Sequence, residues 1–279
     1  MKIPPRTRAQ TPPGENRLNN AVIPFEKFKK KDAPIAVFDS GSGGVSVLRE
    51  LTKMLPYEDF FYFGDSKNAP YGIKKTETIR ALTLSAAARL LSFSKALVLA
   101  CNTATAAGAA AVRAAHPGKI VIGMEPALLP ALRAGAVIAV LATPSTLSGG
   151  KFEALCHRVP PGVTVYRLPA PELVPLVEAG LGNGPAAFAY LRALAGSLPE
   201  RPDAVVLGCT HFPFAAAAIR AAFGKETPLF DGAAGTAREL TRRLSAAGLL
   251  RDGRRPGVLR LTASAPASVS LFSRLFLEN

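Results

Sequence analysis

Cys101 and Cys209 are the residues of this sequence best placed to do chemistry. Cys101 directly follows the apolar run 96–100, and Cys209 follows the run 204–208, 108 residues later. Each is followed by a segment with helical character. A thiol at a strand-to-helix turn faces the positive end of the helix dipole, which predicts a pKa lowered toward the thiolate. Asn102, Thr103 and Thr210 supply amide and hydroxyl groups beside the two sulfurs. A pair of such thiols has three possible uses. They could form a disulfide, which reducing compartments disfavour. One could act alone as a nucleophile with a base. Or the two could stand on opposite faces of a ligand, one removing a proton from a stereocentre and the other returning it from the far side. His211, two residues after Cys209, is either a proton carrier or a satisfied core histidine. Asp39, a lone carboxylate after another apolar run, could bind an ammonium group or cap the next helix. Gly41 to Gly44 could present N–H groups to a carboxylate or phosphate. That turn fits neither GxGxxG nor the P-loop, so nucleotide binding is unsupported. Cys156 lies within the helical pattern KFEALCHRV and reads as structural, while His116 and His157 read as surface or loop residues.

The elements that must position these groups repeat one grammar. Short apolar runs at 35–38, 60–63, 96–100, 120–123, 137–141, 163–168, 204–207 and 229–230 each end in a turn, and most lead into a helical pattern. Runs of this kind, alternating with helices, predict an α/β fold with buried parallel strands. Ligands of such sheets bind beyond the carboxyl ends of the strands, where the cysteines and Asp39 fall. An internal repeat is also visible. ALVLACNT resembles AVVLGCT at an offset of 108, and IAVFDS resembles IAVLAT at an offset of 103. Either the chain contains two related halves, which would place one cysteine on each side of a shared cleft, or the likeness is that of any two strand–turn–helix units.

The 279 residues, 48% hydrophobic and 19% charged, suffice for one large or two moderate domains with real cores. The net charge is +14, of which residues 1–31 hold +6. A basic leader could touch nucleic acid or an anionic surface. No nucleic-acid motif accompanies the charge, so a solvated leader is expected and no nucleic-acid partner. Three cysteines without a CxxC pair predict neither a disulfide framework nor a zinc site, so no metal is expected. The first residues have no apolar signal core, and the longest apolar stretch, 97–112, is interrupted by Asn102, Thr103 and Thr105. A reduced, cytoplasmic protein that does not span a membrane is the expectation.

Taken in order, FDSGSGGVSVLREL, YFGDSKNAPYG, LACNTAT, ATPST, VVLGCTHFP and FDGAAGTAREL strongly resemble glutamate racemases over about 35–240. The paired ACNT and GCTH segments are specific in combination; the related aspartate racemases share the two-cysteine plan, but the FDSG start and the GCTHFP ending resemble glutamate racemases more. The resemblance implies two similar α/β domains with mainly parallel sheets, related by a pseudo-twofold axis, with the active site in the cleft between them. The expected division is a leader at 1–32, a first domain of 33–124 plus 233–279, and a second of 125–232. The implied activity is cofactor-independent interconversion of L- and D-glutamate for peptidoglycan synthesis. Cys101 and Cys209 would be the two acid/base groups, with Cys101 facing D-glutamate and Cys209 facing L-glutamate. Asp39, His211 and Glu178 would assist them. Asp39, Ser40, Tyr71, Gly72, Asn102, Thr103, Thr210 and His211 would bind substrate. A homodimer and activation by a cell-wall precursor are further implications. Two departures from the family pattern occur, at LPAPELVP before Glu178 and at SGGKF after ATPST. The same chemistry on aspartate, a binding protein using the basic leader, and a cysteine hydrolase are the competing readings.

Overall fold

The computed structural model describes residues 30–253 and 255–278. The expected leader therefore lies outside the described residues except for 30–32. The chain builds two parallel sheets. Strands β1 (Ile35–Asp39), β2 (Phe60–Gly64), β3 (Ala96–Leu99) and β4 (Ile120–Gly123) belong to the first. Strands β5 (Val137–Ala142), β6 (Thr164–Pro169), β7 (Ala204–Leu207) and β8 (Leu229–Asp231) form the second. The chain then returns to add β9 (Leu259–Ala263) to the first sheet. The orders are β4-β3-β1-β2-β9 and β6-β5-β7-β8, with every pairing parallel. Read from its other edge, the second sheet runs β8-β7-β5-β6, the order in which the first lays down β4-β3-β1-β2. The same four-strand arrangement thus occurs twice, with β3 matching β7 and β1 matching β5.

Alternation along each strand sends side chains to opposite faces. Ile35 and Val37 pack with α1 (Val45–Met54) and with the helices Ala233–Ala246 and Val269–Leu277. Ala36 and Phe38 pack with α2 (Thr76–Leu91) and α3 (Asn102–Ala115). In the second sheet, Ala139 and Leu141 face helices Leu173–Glu178, Pro185–Gly196 and Ala216–Phe223, while Ile138 and Val140 face Leu128–Ala131 and Gly150–Cys156. Because both faces are covered, the central strands are apolar throughout, which is why they show in the sequence.

Strand ends differ from the predicted runs by a residue or so, as expected of frayed boundaries. The C-terminal return was not among the predicted elements. LRLTA places only Leu259 and Leu261 in the core and pairs on one side only, so it carries little apolar signal. The helix after it supports the site from beneath. Phe272 meets the Tyr62 ring edge-on at 5.4 Å, and the Tyr62 hydroxyl donates to the Gly41 carbonyl at 2.7 Å. At the opposite end of the sheet, buried Lys95 donates to the Glu58 carboxylate and to the carbonyls of Lys31 and Leu249, tying this return to the rest of the domain. No helix among the described residues is long and apolar enough to cross a membrane.

Candidate active site

Both cysteines lie two residues beyond a strand end, Cys101 after β3 and Cys209 after β7, and both are buried. They line one cavity of about 650 Å³ between the two sheets. Cys101 is the N-cap residue of α3. Its sulfur accepts from Ala104 N–H at 3.4 Å and lies 3.6 Å from Ser40 Oγ. The expected lowering of its pKa does not occur. Burial, and then the nearby Asp39 carboxylate, push the Cys101 thiol up to about 12, against the weaker opposite pull of Ala104 N–H and Ser40. Desolvation of the charged form exceeds the helix-terminus effect here.

The surroundings of Cys209 are ionic. His211 Nδ1 is 3.7 Å from the Cys209 sulfur, and His211 Nε2 is 2.7 Å from Glu178 Oε1. Burial alone would lower the imidazole. The bonds to Cys209 and Glu178 outweigh it and hold His211 well above the usual histidine range. Burial likewise disfavours the charged Glu178, but His211 and the Ser42 N–H, at 3.0 Å, bring its pKa down to about 2. Asp39, fully enclosed at the end of β1, accepts from Gly41 N–H at 2.9 Å and from Thr210 Oγ1 at 3.1 Å. Burial still raises it above the ordinary aspartate range despite His211 and these donors.

The glycine turn after β1 makes this packing possible. A Cβ on Gly43 would lie 2.4 Å from His211 Nδ1 and 2.5 Å from Thr210 Oγ1, and one on Gly41 would lie 2.7 Å from Glu178 Oε1. Gly43 does not need a left-handed backbone; its lack of a side chain lets the turn after β1 come close to His211 and Thr210 beyond β7.

Beyond Cys101 the cleft wall carries hydroxyl and amide side chains. The hydroxyls of Thr103, Thr143 and Thr146 stand 3.0 to 3.3 Å from one another. Asn102 is buried at the cavity wall, and neither its amide nitrogen nor its oxygen has a partner. Unsatisfied amide atoms in that position are available to a polar ligand. Ser40, Tyr71, Gly72 and Thr210 also line the cavity. Tyr71 does so with its hydroxyl already donated to Asp65 Oδ2 at 2.7 Å. The structure thus brings every predicted site residue except Asp39 to the cavity wall, and Asp39 directly behind it. Thr143, Thr146 and Asp65 were not among the predicted site residues. ATPST, at the end of β5, was the signal for the two threonines, since strand ends of this sheet line the cleft.

The profile of the Asp/Glu/Hydantoin racemase family matches residues 35–240. The glutamate racemase of Clostridium acetobutylicum is 44% identical over 240 residues, covering 84% of this chain and 93% of the relative. The glutamate racemase of Francisella tularensis, solved with D-glutamate, superposes with a TM-score of 0.76 at 27% identity, covering 89% of this chain and 95% of that one. The Escherichia coli glutamate racemase, solved with L-glutamate and the activator UDP-MurNAc-ala, gives 0.73 at 28% identity over 88% and 95%. The two-sheet architecture, the shared cavity and these likenesses agree: the chain belongs to the Asp/Glu/Hydantoin racemase family and is an amino-acid racemase.

Proposed function

We propose that this enzyme interconverts L- and D-glutamate by deprotonation and reprotonation at the α carbon, with Cys101 and Cys209 as the two acid/base groups. The observation that carries this reading is the placement of two thiols at equivalent strand ends, facing one cavity from two sheets. One sulfur, as thiolate, takes the α proton. The C–H electron pair passes into the α-carboxylate, and the other sulfur, as thiol, gives its proton to the opposite face. Cys101, held as a thiol by its burial, is suited to the donating role, and His211 Nδ1 stands where it can return or accept the Cys209 proton. The carbanionic intermediate needs hydrogen-bond donors aimed at the carboxylate. Asn102, with its free amide, and the threonine hydroxyls of both cleft walls are the candidates. Asp39 and Glu178 position Thr210 and His211.

The division into domains 33–124 with 233–279 and 125–232 belongs to this reading, as do a supply of D-glutamate to peptidoglycan, a homodimer and a cell-wall-precursor activator. The test is purified, reduced protein with L-glutamate in D₂O and no added cofactor, with and without such a precursor. Loss of optical rotation with uptake of one α deuterium per inversion is expected. Inertness toward glutamate, with turnover of aspartate instead, would overturn the substrate assignment.

A further inference from the structure

Ser46 sits half-buried in the first turn of α1, in the first-sheet half of the molecule. Its hydroxyl lies 2.9 Å from the Gly43 carbonyl and 2.9 Å from the Thr210 carbonyl. The first contact is local and common for a serine near a helix start. It is also redundant, because the Ser46 backbone N–H already donates to the Gly43 carbonyl at 3.0 Å. The second contact crosses the cleft to a residue 164 positions away. Thr210 is the single residue between Cys209 and His211. The carbonyls on either side of it accept from within their own segment, Cys209 O from Phe212 N–H and His211 O from Phe214 N–H. The Thr210 carbonyl instead accepts from Ser46, in the opposite half.

We infer that Ser46 is a positioning residue for Cys209, its hydroxyl holding the Thr210 carbonyl and so setting the distance of the Cys209 sulfur from the substrate α carbon. The inference rests on the two-thiol reading above. The turn at Cys101 is held by other groups, by Ala104 N–H and Ser40 within the first half and, through Thr103, by the Thr143 and Thr146 hydroxyls of the second; among the described residues the Ser46 hydroxyl bonds only to the Gly43 and Thr210 carbonyls. Loss of the Ser46 hydroxyl therefore slows proton transfer at one thiol and not at the other. A misplacement near 1 Å of a reacting group costs on the order of 10²-fold in rate, and this bond is one of several that hold the turn.

The experiment compares wild type with Ser46→Ala, Ser46→Cys and Ser46→Thr, using L- and D-glutamate with hydrogen or deuterium at the α carbon. The enantiomer belonging to Cys209 is first identified with Cys209→Ala, which exchanges the α proton only of the enantiomer that Cys101 reaches. For Ser46→Ala, kcat is expected to fall by about 10-fold or more in both directions, with KM changed by less than about 2-fold. The substrate isotope effect on kcat/KM rises for the Cys209 enantiomer, because abstraction by Cys209 becomes limiting. It falls toward unity for the other, because proton return from Cys209 becomes limiting there. Ser46→Thr, which keeps the hydroxyl, restores both, and Ser46→Cys, a weaker donor of similar size, lies between. A purely structural role would lower the thermal midpoint and the active fraction while leaving both isotope effects where they were. That result, or an equal change for both enantiomers, overturns the assignment, as do wild-type kinetics in Ser46→Ala. Wild type inert toward both enantiomers would instead overturn the functional reading, and this assignment with it.

Discussion

The two sulfurs stand at equivalent strand ends yet in different electrostatic settings. Burial and then the Asp39 carboxylate raise the Cys101 pKa to about 12 against the weaker pull of Ala104 N–H and Ser40, whereas Cys209 meets a histidine clamped by Glu178. The proposed mechanism requires both, one at each face of the α carbon. Cys101→Ala and Cys209→Ala should each lower racemisation on the order of 10³-fold, and each should leave α-proton exchange in a single enantiomer, read by mass increase in D₂O. Near wild-type racemisation by either variant would end the two-thiol mechanism. Gly43→Ala tests the packing around His211. The new methyl group would lie 2.4 Å from Nδ1, so the ring must move. The fold should survive, since the backbone there suits any residue, but kcat should drop by on the order of 10²-fold, with an unchanged circular dichroism spectrum as the control.

The glycine turn after β1 is the element that gathers the second half's acid/base groups. From one short segment, Asp39 holds Thr210, Ser42 N–H holds Glu178 and Ser46 holds the Thr210 carbonyl. The Glu178–His211 link also ties the short helix Leu173–Glu178 to the turn after β7, and its worth depends on pH. Glu178 is lowered from 4.5 to about 2, so its contribution is present above pH 4.5 and is lost as pH falls toward 2. His211 is raised above 6.5, so its contribution is full below that pH and is lost as pH rises through the folded-state value. Urea denaturation across this range should show a plateau falling at both ends. Glu178→Gln should lower stability at pH 6 by about 1–3 kcal/mol and flatten the acid limb between pH 4.5 and 2. An acid limb as steep as that of wild type would mean that other carboxylates carry it.

At the scale of the whole molecule, the cleft is closed by contacts between the two sheet layers on both of its sides. Opposite the Asp39–Thr210 side, Ser145 Oγ donates to the Gly72 carbonyl at 2.7 Å, and the Thr103 and Thr143 hydroxyls meet at 3.0 Å. A Cβ on Gly72 would lie 2.7 Å from Thr143 Cγ2. Gly72→Ala should therefore push the halves apart at the substrate cavity, raising KM by about 10-fold with a smaller change in kcat. Steady-state kinetics in both directions would check this, and an unchanged KM would show that the loop gives way without moving Thr143.

Much of this was legible in the sequence. Parallel strands buried on both faces must be short apolar runs, and ligands of such sheets gather at their carboxyl ends. Cys101, Cys209, Asp39 and Thr143 could therefore be located at strand ends without coordinates, and the repeated ALVLAC and AVVLGC pattern anticipated the doubled strand order. Glu178 carried no such mark, since nothing in LVPLVEAG shows that the carboxylate will meet a histidine 33 residues away. The edge strand β9 was equally silent, because a strand half covered and paired on one side needs few apolar residues. The tertiary structure alone decided the raised pKa of Cys101 and the links that hold both sulfurs. The helix terminus at Cys101 is a local feature and could be read along the chain. The burial that overrides it, the Asp39 charge 62 residues away and the Ser46 hydroxyl 164 residues from Thr210 are set by how the two sheets close on one another. Electrostatic and hydrogen-bond energies depend on distance through space and on exclusion of water, and neither is a property of position in the chain.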